Sequence, residues 1–231
     1  MGADAPQALV RARNRKMNRW DRRIERAREL EERYPNAAEM LRFYAGLAKF
    51  QSGARPSLPA LRDLVRETGT PVLRDAALHL TDQHPLYSFF QRVLDQLRFE
   101  QQACQAGVNT NNVQPDCPFC FEKPLLAVLR PEGDGGRRRL LCGRCFTEWE
   151  FRRLLCPNCG EEDRDKLPVY TAPEFPHIRV EACDTCQCYI KAVDLTRDGN
   201  AVPEVDEIAA LPLDMWAMEH GYHKMAPNLF E

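Results

Sequence analysis

Four short motifs decide the reading of this chain: Cys117-Pro-Phe-Cys120, Cys142-Gly-Arg-Cys145, Cys156-Pro-Asn-Cys159 and Cys183-Asp-Thr-Cys186. Each places two thiols three positions apart. They fall into two sets, with 21 residues between Cys120 and Cys142 and 23 between Cys159 and Cys183. A tetrahedral metal takes four thiolates at about 2.3 Å. A tight turn with two intervening residues aims two sulfurs at one ion, and a hairpin-sized insert returns a second turn opposite the first. The inserts read as strands, 125–130 and 138–141 in the first set, 169–171 and 178–181 in the second. This is the spacing of a zinc ribbon or rubredoxin written twice in tandem. It assigns Cys117, Cys120, Cys142 and Cys145 to one metal and Cys156, Cys159, Cys183 and Cys186 to another. Two alternatives stay open on spacing alone. The inner pairs Cys142/Cys145 and Cys156/Cys159 are ten residues apart and could share an ion, and a thiolate set admits both iron and zinc. Gly160 follows the third knuckle as in rubredoxins, whereas Phe121 follows the first.

Working outward, the 231 residues contain ten cysteines, and the first 115 positions hold a single one, Cys104. Hydrophobic residues make up 44% and charged residues 29%, the balance of a folded chain of one or two units. No apolar run is long enough to cross a bilayer, so no membrane insertion is expected. Residues 1–10 lack the basic and apolar segments of a secretory signal, which predicts a cytoplasmic protein. A reducing compartment favours metal binding over disulfides for such a pattern. Charge is divided between the halves. Residues 1–115 carry 18 Lys+Arg against 13 Asp+Glu, or +5; residues 116–231 carry 14 against 21, or −7.

The basic half reads as helical. Met17, Trp20, Ile24, Ala27, Leu30 and Tyr34 recur at three- and four-residue steps. Asn36 with Glu39 reads as a capping pair opening a second helix, which carries Met40, Leu41, Phe43, Tyr44, Leu47 and Ala48 inward. Shorter helices follow over 59–68 and 71–80, then a long one over 85–105, closed by Gly107 and a polar linker over 109–115. The arginine-rich stretch 11–33 reads mostly as a solvated helix face. A final helix is expected from near Val205, carrying Asp214, Trp216 and Tyr222. Trp149 reads as a packing plug between the ribbons, Cys104 as a small hydrophobe on its helix, and Cys188 as a spare thiol. The predicted class is α+β: a helical domain with linker (1–115), two tandem rubredoxin- or zinc-ribbon-like metal domains (116–152 and 153–200) and a C-terminal helical tail (201–231).

No catalytic constellation accompanies these motifs. Glycines 133–136 suit a hairpin tip, not a phosphate cradle. With four cysteines on each metal, no coordination place is left for substrate. The expectation is a protein that is not an enzyme and whose two metals are structural. A nucleic-acid-binding ribbon should present a basic face, and the ribbon half is acidic, so no nucleic-acid partner is expected. A rubredoxin-like electron carrier is the other rival reading and requires iron.

The run Arg139-Leu-Leu-Cys-Gly-Arg-Cys-Phe-Thr-Glu-Trp149, continuing to Cys156-Pro-Asn-Cys159, resembles the signature of formate dehydrogenase accessory (FdhE-type) proteins. So do Val180-Glu-Ala-Cys-Asp-Thr-Cys186 with Tyr189-Ile-Lys191, and the tail through Leu213-Asp214, Glu219-His-Gly-Tyr222 and Pro227-Asn228. Phe121, where the family tends to have Gly, and the additional Cys188 depart from the pattern, and the chain is short for the family. The resemblance implies an assembly factor needed for active formate dehydrogenase, acting in the cytoplasm on the catalytic (large) subunit before export. It also implies rubredoxin-like ribbons associated with iron. Self-association into a homodimer is compatible with the sequence.

Overall fold

A computed structural model describes residues 17–53 and 56–231; the basic residues at 11–16 lie outside this range. Helix α1 (Arg19–Arg33) starts where the Asn18 side chain accepts a hydrogen bond from the Asp21 amide at 2.9 Å, a cap for otherwise unpaired donors. Its buried positions include Ala27 and Leu30 on the expected stripe. Helix α2 (Ala38–Gln51) is entered differently from the expectation. A 3-10 turn over Pro35–Ala37 precedes it, Ala37 is the N-cap, and no side chain caps the helix. Pro35 sets the turn's φ, and the Ala37 amide bonds the Tyr34 carbonyl at 2.9 Å. Asn36 is thus held inside the turn and does not cap.

Helices α3 (Leu58–Thr68), α4 (Pro71–Leu78) and α5 (Tyr87–Ala106) complete the N-terminal part, and α5 stops at Gly107, whose φ of +58° glycine adopts without penalty. Two apolar clusters hold these helices. Phe43, Leu47, Leu61, Val65, Phe89, Phe90 and Val93 join α2 to α5. Leu30, Leu41 and Tyr44 pack instead on Val205 and Ile208 of the C-terminal tail.

Strands β1 (Pro124–Glu132), β2 (Gly135–Cys142) and β3 (Glu148–Glu150) form the first ribbon; β4 (Val169–Thr171), β5 (Ile178–Cys183) and β6 (Cys188–Asp194) form the second. Their order is β3-β2-β1-β6-β5-β4. A parallel pairing of β1 with β6, from Leu126 opposite Lys191 to Leu129 opposite Asp194, joins both ribbons in one sheet. A short strand β7 (His223–Lys224) pairs with β6. The two-residue period of the strands sorts side chains between the faces. Leu126, Val128, Ile178, Val180 and Val193 face helix α7 (Leu211–Glu219), while Ala127, Leu129, Leu140, Ile190 and Ala192 pack around Trp149.

The tail differs from one continuous helix. Helix α6 (Pro203–Ala209) ends at Ala210, Pro212 opens α7, and Tyr222 lies beyond it. A second correction concerns the arginines of α1. Arg23 and Arg26 are only 1% and 3% exposed, so this part of the helix faces protein and not solvent.

Candidate metal centres

The first four cysteines come together at the end of the first ribbon. Cys117 Sγ is 3.5 Å from Cys145 Sγ, and Cys120 Sγ is 3.4 Å from Cys142 Sγ and 3.6 Å from Cys145 Sγ. A tetrahedron of sulfurs about 2.3 Å from its centre has edges of about 3.8 Å, so the group is close to the size a metal requires. Hydrogen bonding among the thiols, led by Cys120, holds Cys117 well below the ordinary thiol range. Hydrogen bonding led by Cys117 pushes Cys142 well above it. Sulfurs this close share their protons unevenly, and a divalent cation allows all four to be thiolates. The Cys145 thiol is also 3.1 Å from the Thr147 hydroxyl.

The second group has the same construction. Cys156 Sγ is 3.7 Å from Cys186 Sγ, and Cys159 Sγ is 3.6 Å from Cys183 Sγ. The knuckles explain the shared geometry. After the second cysteine of each, the chain passes through left-handed backbone: φ is 61° at Phe121, 54° at Phe146, 78° at Gly160 and 55° at Gln187. That reversal lets the Phe121 amide bond the Cys117 carbonyl at 3.0 Å and the Gly160 amide bond that of Cys156 at 3.0 Å. It also aims backbone donors at sulfur, Arg144 N at Cys142 and Asn158 N at Cys156, each at 3.4 Å. Such donors stabilise thiolate charge. The pairing is first knuckle with second and third with fourth, not the inner pairs with each other. The environments differ, since Cys117, Cys142 and Cys145 are buried whereas Cys159 is exposed.

Residues 116–153 match the family described as FdhE, central domain, and residues 155–230 match FdhE, C-terminal domain. Each four-cysteine group falls within one of these matches. The chain is 30% identical over 196 residues to a protein FdhE homolog of Aquifex aeolicus, a match covering 73% of this chain and 66% of that one.

The chain belongs to the FdhE family.

An FdhE homolog of Pseudomonas aeruginosa is 34% identical over 122 residues, covering 49% of this chain and 38% of its own. The chain therefore spans under two-thirds of these relatives' length in the matched regions. The crystal structure of the FdhE protein from Pseudomonas aeruginosa shares the fold, with a TM-score of 0.71 and 24% identity over 91% of this chain and 94% of that one.

Around the FdhE knuckles lies a buried ionic framework that sequence periodicity does not reveal. Lys191 of β6 is fully buried, with its Nζ 2.5 Å from Asp214 Oδ2 and 3.0 Å from Glu207 Oε1. Tyr189 donates to Asp214 at 2.8 Å, and Lys224 reaches Glu207 at 2.6 Å. Burial pushes Glu207 upward, but Lys191 and Lys224 overcome it and hold the carboxyl below its ordinary value. At Asp206, the neighbour of Glu207 on α6, the framework continues: Arg26 pairs with Asp206 and Asp198, and His177 Nε2 is 2.7 Å from Asp206. His177, Asp198 and Asp206 are close enough to hold a cation, but the Arg26 guanidinium already supplies the charge there. The other arginine, Arg23, bridges Glu100 of α5 and Glu204 of α6.

Trp149 is fully buried in the cluster that contains Cys117, Cys142 and Cys145, and its Nε1 donates to the Gln114 carbonyl at 2.8 Å. The expected linker is thereby tied to the first ribbon. Cys104, read as a small hydrophobe on its helix, lies on α5 with its side chain exposed. Cys188 stands outside both four-sulfur groups, with the Asn158 amide 3.3 Å from its sulfur.

Proposed function

We propose that this protein is a non-catalytic accessory factor for formate dehydrogenase, binding the enzyme's catalytic subunit in the cytoplasm during assembly, before export. One observation carries this reading: the FdhE central and C-terminal matches together enclose both four-cysteine groups. Four protein sulfurs per centre leave no open position for substrate, as in sites that supply folding energy and not chemistry. Cys117, Cys120, Cys142 and Cys145 would hold one metal, and Cys156, Cys159, Cys183 and Cys186 the other, either as iron, following the family resemblance, or as zinc.

In this reading the helical part, the ribbons and the tail act as one docking body shaped by the two centres. Tagged full-length protein should recover the catalytic subunit from cells producing formate dehydrogenase when lysed anaerobically with metal retained. Repeated absence of that subunit under those conditions refutes the reading. Metal analysis with visible spectroscopy of the same preparation separates a coloured ferric tetrathiolate from colourless zinc.

A further inference from the structure

Beside the second cysteine group, where the ribbons meet, is a cleft of about 410 Å³ lined by Arg138, Arg153, Arg164 and Arg179. Glu181 is the carboxylate in its wall. It is shared by Arg138 Nη2 at 2.8 Å and Arg179 Nη2 at 2.7 Å. Four guanidinium groups against one carboxylate leave a surplus of three positive charges (4 − 1) among these side chains, within the half of the chain whose net charge is −7. The adjoining four-sulfur centre, net −2 with four thiolates on a divalent ion, reduces that surplus to one without reversing its sign. Arg153 donates to the Gly136 carbonyl, and Arg164 forms no side-chain ion pair among the described residues. Both are exposed, so two cationic groups are free to meet a carboxylate from outside. The remaining lining combines Cys156, Cys183 and Cys188 with apolar side chains: Ile190 is buried, Leu155 and Met225 are half-buried, and Leu154 and Val169 are 52% and 53% exposed.

An arginine excess beside apolar side chains matches a ligand with both acidic and apolar groups. Arginine's planar fork suits carboxylate recognition in particular. We infer that this cleft receives an acidic segment of the protein partner, with carboxylates on Arg153 and Arg164 and an apolar side chain against Leu154 and Val169. The inference rests on the accessory-factor reading for the partner's identity, though the cleft chemistry is independent of it.

The test uses full-length, metal-loaded protein and two measurements. The first is fluorescence anisotropy with a labelled peptide alternating Glu and Leu, beside a Lys-and-Leu control. Binding should be selective for the acidic peptide, weaken with salt, and fall at least about tenfold in an Arg153→Glu/Arg164→Glu variant. An Arg66→Glu variant, reversing an exposed charge on α3, should bind as the parent does. Absence of selective binding, or equal binding by the double variant, overturns the inference. So does displacement of the peptide by single-stranded DNA at equal charge concentration, which would assign the cleft to phosphate backbones. The second measurement is recovery of the catalytic subunit. If the double variant recovers it as well as the parent does, the cleft is not the docking site while the accessory reading stands. If the parent recovers none, the accessory reading fails, and the peptide measurement alone decides the cleft.

Discussion

Lys191 on strand β6 and Asp214 on helix α7 meet in a fully protein-enclosed contact, with Nζ 2.5 Å from Oδ2. This pair ties the sheet to the tail that also covers the N-terminal helices. A buried ammonium is tolerable only because Glu207 and the Glu207 carbonyl, at 2.7 Å, complete its shell.

Asp214→Ala leaves Lys191 with one fewer anion in a dry site. Breaking a buried pair by removing one partner costs about 3–5 kcal/mol, and the loss should appear as a lower urea midpoint at constant metal content. A Lys191→Met/Asp214→Leu double variant should recover a large part of it, because the desolvation cost leaves with the charges. A change below about 1 kcal/mol in the single variant would mean that the site is solvated.

Acid should unfold the protein through the same framework. Burial raises Asp206 and Glu207, but His177 and Arg26 in the first case, and Lys191 and Lys224 in the second, bring them below 3.8 and 4.5. Their stabilisation is complete above those ordinary values and is lost as pH falls through the lower folded ones. Asp214 acts in the opposite sense, because burial holds its value above 3.8, so its protonation gives back part of the loss. Chemical denaturation from pH 6 to pH 3 should show a shallower decline for Glu207→Gln than for the parent. Metal content followed alongside separates thiolate protonation from this effect.

Cys142→Ser should lower metal content from two ions per chain to one, with the second centre retained. Cys104→Ser and Cys188→Ser should keep both ions, since neither sulfur belongs to a four-sulfur group. Elemental analysis after gel filtration reads this directly. Full stoichiometry in Cys142→Ser would show that its sulfur is not a ligand.

Phe121 holds a φ of 61° with 78% of its surface exposed. Side chains pay about 1–2 kcal/mol for left-handed backbone, and no packing here compensates. Phe121→Gly should therefore raise stability by about 0.5–1 kcal/mol, after the chain-entropy cost of glycine. The comparable change at Phe146 should not help. That ring packs against the core beside the sheet and lies 4.1 Å from the Arg23 guanidinium.

Trp149→Ala removes the centre of the cluster around the first cysteine group. Such truncations cost about 3–5 kcal/mol. Trp149→Phe should cost less, chiefly the lost hydrogen bond to Gln114, at about 1 kcal/mol. Thermal melts of the two variants, with limited proteolysis across 107–115, test both the packing and the anchoring of the linker.

The features legible in the sequence are those with short-range causes. Cysteine spacing, glycine at 160 and the strand-length inserts specify two knuckle pairs, because a two-residue turn and a hairpin are local geometry. The helices of the first half follow from a three- to four-residue period, and Gly107 ends α5 for a local steric reason. Asn36 misled because Pro35 set up a turn that competes with side-chain capping. The long-range relationships were decided only in three dimensions. No local pattern says that β1 runs parallel to β6 and joins two ribbons as one sheet, since that pairing links residues more than 60 positions apart. The charge split shows the same division. Sequence established a basic helical half and an acidic ribbon half, but folding turns part of that asymmetry inward: Arg23 meets Glu204, and Arg26 meets Asp198 and Asp206. These arginines are buried because carboxylates distant in sequence, on α5, before the tail and on it, replace the water they lose, and only the tertiary structure could supply them.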